Sequence, residues 1–223
     1  MEDQRPFSIA SLIAMPALIT LAITILRLEG ELHGWPKPWF NTSAGGGGAV
    51  IGISWLPIIF GPYFAFKLAG AGDVPPKMGR PLGLTALGLV VLVLGGVLFA
   101  VTASHPSIVT LIAFPVMLIG AIIPRIGWRS LGNTLIAYAF AARIPVLIVM
   151  YLAMRGNDGA GWGTHYDVAP PMFHQTSFGA KFFYLAFLPQ MFMWIAYTVI
   201  LGALIGEIIM AVRPGRHASQ VTT

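Results

Sequence analysis

Residues 82–103 read LGLTALGLVVLVLGGVLFAVTA, a stretch with no charged side chain. An apolar run of eighteen or more residues matches the roughly 30 Å hydrocarbon core of a bilayer when wound as a helix. Only helices and closed barrels satisfy their own backbone in lipid, and no alternating strand pattern accompanies this run. It therefore dictates a membrane-spanning helix, and the rest of the chain repeats the pattern. Six spans are expected, at about 8–27, 47–69, 82–103, 107–124, 131–153 and 182–211. The expected fold is all-α: a polytopic integral membrane helical bundle of about six transmembrane helices, forming one transmembrane domain over 1–223.

Composition agrees. Charged residues make up 9% of the chain and hydrophobic ones 57%, against about 25% charged in a soluble domain. The mean hydropathy is +0.80. The net charge of +5 is spread thinly, with no basic run, so it points to basic loops beside a bilayer and not to nucleic acid. The absence of cysteine excludes disulfides, thiolate metal sites and cysteine nucleophiles. The opening MEDQRPFSIASLIAMPALITLAITILR carries acidic residues ahead of a long apolar run, and is expected to be a retained first helix and not a signal peptide.

Only SHPS separates the third and fourth spans, so these should form a tight antiparallel hairpin. Prolines recur in or near the spans at Pro16, Pro57, Pro62, Pro115, Pro145 and Pro189. Each removes a backbone donor and bends its helix or opens a gap beside it. Glycines at Gly88, Gly95, Gly96, Gly202 and Gly206 suit close helix contact, the last two with small-xxx-small spacing. The sixth run is long enough to tilt or to project beyond the bilayer. No internal repeat stands out.

Orientation follows from the basic residues. With the N-terminus inside, Arg5, Lys67, Lys77, Arg80, Arg125, Arg129, Arg213 and Arg216 are cytoplasmic, while Arg27, Lys37, Arg155 and Lys181 are outside. Eight against four places both termini in the cytoplasm, in a plasma or inner membrane. His33, His105, His165 and His174 then lie on the outer side, with His217 alone inside.

Two long outer loops, 28–46 and 155–181, carry most of the polar side chains. Loops of this length between helices are commonly functional. The expected ligand-binding set is Glu31, His33, Trp35, Trp162, His165, Tyr166, Asp167 and His174, joined by Arg143 from within a span. Trp35, Trp39 and Trp162 also suit the membrane interface as anchors. Glu29, Glu31 and His33 alternate, as do His165 and Asp167. In extended backbone that spacing turns the side chains to one face. Imidazole and carboxylate donors together suit a divalent metal such as zinc, so His33, His165, Asp167 and His174 form the candidate metal set. Met172 beside His174 admits copper, and paired histidines in a bundle admit haem. An ordered cap whose polar groups satisfy one another is the alternative. Residues 163–174 are expected to fold over the bundle and meet the loop at 29–41.

Arg143 and Glu207 fall inside spans, where an ionised group is costly unless paired or wet. They are candidates to pair with each other. Arg143 has two other expected uses: binding an anionic group, or capping carbonyls freed by Pro145. Tyr63, Tyr138, Tyr151 and Tyr197 add hydroxyls to the interior.

No nucleotide-binding loop, G-x-S-x-G or H-E-x-x-H occurs, and the Gly45–Gly48 run lacks the Lys and Ser/Thr of a phosphate loop. Three functions remain open. The first is a membrane protein that binds or transports a small molecule, lipid group or metal ion at its outer mouth. The second is a non-catalytic subunit of a larger membrane complex, or a homo-oligomer. The third is a membrane enzyme acting on a lipid-like substrate, with His165 as base or ligand and Asp167 as its orienting partner.

Overall fold

The computed structural model describes residues 8–46, 48–103 and 107–213. His105, His217, Arg5, Arg216, Gly47 and most of the SHPS turn lie outside them. Helix α1 spans Ile9–Leu32, α2 Leu56–Gly70, α3 Gly79–Thr102, α4 Ile108–Ile122, α5 Pro124–Gly127 and α6 Arg129–Arg155. After a loop, α7 (Phe178–Phe182) runs through π-helical turns at Phe183–Phe187 and Pro189–Met193 into α8, Trp194–Val212. No strand occurs among the described residues. The fold is an all-helical bundle with five helices long and apolar enough to cross a membrane, plus the shorter α2.

The surface is apolar where a soluble protein would be charged. On α1, Met15 and Leu18 are exposed, and on α3, Leu94 and Val97. Within its most apolar window, α3 buries only 17% of its residues, whereas the Phe178–Val212 rod buries 50%. Helices hydrophobic all round need either a protein interior or lipid against them. Here α3 lies at the rim and the last rod at the centre.

The second span differs from expectation. In place of a helix from 47, the backbone stays irregular to Trp55, and α2 has 15 residues. That is about 22 Å of rise, short of the roughly 30 Å hydrocarbon core. The cause is local. Gly45 and Gly48 adopt positive φ (70° and 73°), and the helix waits for Pro57, whose fixed φ and missing N–H suit a first turn. By contrast α1 runs five residues past its expected end, to Leu32. The Phe178–Val212 rod has 35 residues, roughly 50 Å of helix, so it exceeds the core thickness.

Helices α3 and α4 pack antiparallel, as the short connection predicted. A side chain on Gly88 would strike the Gly120 carbonyl and one on Gly95 would strike Met117, so the register descends on one helix as it rises on the other. Helices α2 and α8 approach closest at Gly61, Gly202 and Gly206, where the backbones themselves touch. Small residues permit such contact, and dispersion between the backbones rewards it. Above this crossing Phe60, Phe64 and Tyr138 meet edge to face, with centroids 5.4 and 5.5 Å from Tyr138. Along α1, Thr20 donates to the Pro16 carbonyl and Thr24 to the Thr20 carbonyl. The Thr20 hydroxyl also lies 2.9 Å from that of Tyr138, giving α1 a polar stripe facing inward.

Candidate functional site

The two long loops meet, and the contact is made by Glu31 and His165. Glu31 closes the last turn of α1, with its side chain wholly buried. Arg27, one turn earlier on the same face, donates from Nε to Glu31 Oε1 at 2.8 Å. From the second loop His165 donates its backbone N–H to Oε2 at 2.8 Å, and its Nδ1 lies 2.7 Å from the carboxylate. A carboxylate only accepts, so Nδ1 carries the hydrogen and Nε2 is the remaining acceptor. Burial pushes the His165 imidazole below its usual range; the hydrogen bond to Glu31 opposes this without reversing it. His165 is therefore neutral near pH 7 and binds Glu31 as a neutral donor.

Its neighbours hold the segment in place. Asp167 accepts from the backbone N–H groups of Gly163 and Thr164 and from the Thr164 hydroxyl. The turn carrying His165 is thus built by Asp167, which has little capacity left for a ligand. Tyr166 is buried and its hydroxyl donates to the Thr24 carbonyl of α1 at 3.3 Å. Burial also pushes its phenol upward. Trp162 packs against Gly156 at the end of α6.

The other expected residues lie apart from this contact. Glu29, Glu31 and His33 are not extended. Glu29 and Glu31 lie on α1 and His33 caps it, so a two-residue spacing turns their side chains about 200° apart. His33 is exposed and its Nδ1 donates to the Glu29 carbonyl of its own helix at 2.9 Å. Trp35 is exposed and sits edge-on to Phe40. His174 donates from Nε2 to the Ala169 carbonyl. Among the described residues no group of three or more His, Asp or Glu side chains is placed to hold a metal ion.

Beneath the loop contact lies a cavity of about 520 Å³, between α1, α6, the π-helical turns and the irregular segment before α2. Non-helical backbone inside a membrane protein is tolerated where it lines such a space. The polar lining includes Arg27, Arg143, His165 and Gln190, with hydroxyls from Thr24, Ser54 and Tyr184. Apolar walls come from Phe99, Phe114, Val146, Met150 and Met193, among others.

Arg143 lies at the middle of α6 and is 4% exposed. Its guanidinium sits over the Trp194 ring, 4.7 Å from the centroid. Its Nε has no hydrogen-bond partner, and no ion pair reaches it among the described residues. The expected pairing with Glu207 is not made, for a geometric reason. Trp194, under the guanidinium, is thirteen residues before Glu207 on α8, about 20 Å along the helix. Glu207 is instead wholly buried beside Thr85 of α3. Nor does Arg143 donate to carbonyls freed by Pro145.

Among the residues of this cavity that the sequence did not mark as site members are Arg27, Gln190 and Trp194. Gln190 had a signal, an amide beside Pro189 inside an apolar span. Pro189 opens a π-helical turn, a feature frequent at functional sites. The Gln190 amide is buried, with Nε2 against Met150 Sδ at 3.6 Å and Oε1 unpartnered. Arg27 gave no such signal, because its role depends on where Glu31 and His165 meet.

No protein-family model, curated protein or solved structure matches this chain.

Proposed function

We propose that this chain is a membrane protein that binds a small molecule or lipid group in the cavity beneath its two long loops, with transport as the natural extension. The observation that carries the reading is the cavity itself. It has the volume of a small-molecule site, which typically runs from about 300 to 1,000 Å³, and it joins apolar walls to a few converging polar groups. His165, held by Glu31, lines it on the loop side, and the glycine-rich segment before α2 and the π-helical turns form other parts of its wall. We place both termini in the cytoplasm and the loops outside, in a plasma or inner membrane, on the eight-to-four distribution of basic residues.

Purification in a nonionic detergent followed by solvent extraction and mass spectrometry tests the binding. Wild-type protein is expected to retain a stoichiometric small molecule, and Val146→Phe, which fills the cavity wall, to lose it. Equal retention by both proteins, or none by wild type, would overturn the reading.

A further inference from the structure

From the unbalanced charge of this cavity we infer that its ligand is an anionic amphiphile: an oxyanion head, carboxylate or phosphate, seated at Arg143 and Gln190, with a single apolar chain along Phe99, Phe114 and Met193. This rests on the cavity being a binding site at all. It adds the chemical class.

The charge count is short. Arg27 meets Glu31 at 2.8 Å, so that pair cancels. The lining contains no carboxylate. Arg143 is left as a buried cation whose titratable neighbours are the phenols of Tyr138 and Tyr197, with no carboxylate among them. A guanidinium is always charged, and leaving one unpaired in a low-dielectric interior is strongly unfavourable. The Trp194 face offsets part of this by a cation–π contact but accepts none of the guanidinium's hydrogens, and Nε remains unsatisfied. An oxyanion supplies both missing things, the countercharge and the acceptors. The Gln190 amide, held only by a weak thioether acceptor, offers a second contact to the same head.

The walls fix the rest of the ligand. Phe99 and Phe114 pack edge to face at 5.3 Å, and with Met193 they offer nothing to a polar group, so the remainder is hydrocarbon. At about 30 Å³ per water-sized group, the 520 Å³ volume holds roughly seventeen such groups. That suits a head with one chain of about a dozen carbons.

The test uses the full chain in nanodiscs of phosphatidylcholine, titrated with radiolabelled dodecanoate, dodecyl phosphate and dodecanol. Both anions are expected to bind saturably and at least tenfold more tightly than the alcohol. Whichever anion is tighter tells a carboxylate head from a phosphate head. Arg143→Gln is expected to bring the anions down to the alcohol's affinity, Arg143→Lys to keep part of the preference, and Val146→Phe to abolish binding of all three. If dodecanol binds wild type as tightly as the anions, or if Arg143→Gln keeps the preference, the anionic assignment is overturned while the cavity remains a binding site. If none of the three binds saturably, both fall.

Discussion

The Glu31 carboxylate accepts two bonds from His165, one from the backbone N–H at 2.8 Å and one from Nδ1 at 2.7 Å, across 134 residues of chain. Its other oxygen takes Arg27 Nε at 2.8 Å. This one carboxylate ties the end of α1 to the loop between α6 and α7 and neutralises a cation at the cavity wall. Losing it would leave Arg27 charged in a buried setting and two donors of His165 unpaired.

Glu31→Ala is therefore expected to destabilise the protein by about 3–5 kcal/mol, the usual cost of removing one member of a buried ion pair. Glu31→Gln should cost less, because its amide oxygen still accepts. Thermal unfolding in detergent measures both. A Glu31→Ala protein that melts with wild type would show that the contact contributes nothing.

The same contact sets a pH dependence. Burial lowers the His165 imidazole below its ordinary 6.5, so the folded state disfavours the protonated ring. The stability is fully present above about pH 6.5, where the ring is neutral in both folded and unfolded states. It is lost as pH falls from there through the lowered folded value. His165→Asn keeps a side-chain N–H for Glu31 but cannot titrate. Melting temperature followed from pH 7.5 to pH 5 should fall less steeply for His165→Asn than for wild type; parallel curves would remove His165 as the cause.

The α2–α8 crossing predicts a contrast between glycines. A Cβ on Gly206 would sit 2.9 Å from the Gly61 carbonyl oxygen, whereas one on Gly96 meets nothing within 4 Å. Gly206→Leu should cost about 1–3 kcal/mol or more by overpacking. Gly96→Ala should be neutral, or gain up to about 1 kcal/mol from helix propensity. Equal thermal shifts for the two variants would mean that α2 and α8 do not touch there.

Because the chain has no cysteine, introduced ones report topology without background. Asp158 and Lys77 are both exposed, the first in the loop that docks on Glu31 and the second in the short connection from α2 to α3. An impermeant maleimide added to intact cells should label Asp158→Cys and spare Lys77→Cys until the membrane is opened. The reverse pattern would invert the proposed orientation.

The architecture was legible because lipid imposes a local rule. Runs such as 82–103 must be helical wherever they pack, since each backbone group has to find its partner inside its own segment. Helix identity, the α3–α4 pairing across a short connection and the close contact at Gly202 and Gly206 all follow from sequence-local facts. So did the interior placement of Arg143, because a mid-span guanidinium facing lipid is costly in any fold. What the sequence alone left undecided depends on contacts between distant segments. It set His33 beside Glu31 as though both lay in one extended strand, but α1 continues to Leu32 and separates their side chains by helical rotation. It offered Glu207 to Arg143, but packing sets Arg143 over Trp194, thirteen residues before Glu207 along α8. The cavity has no sequence signature, because its walls come from Arg27, Val146 and Gln190, on three helical segments whose proximity is a product of packing. Local hydrogen bonding determined the helices; the partners of each buried charge were decided by tertiary structure, since the Coulomb energy between two groups depends on their separation in space and not along the chain.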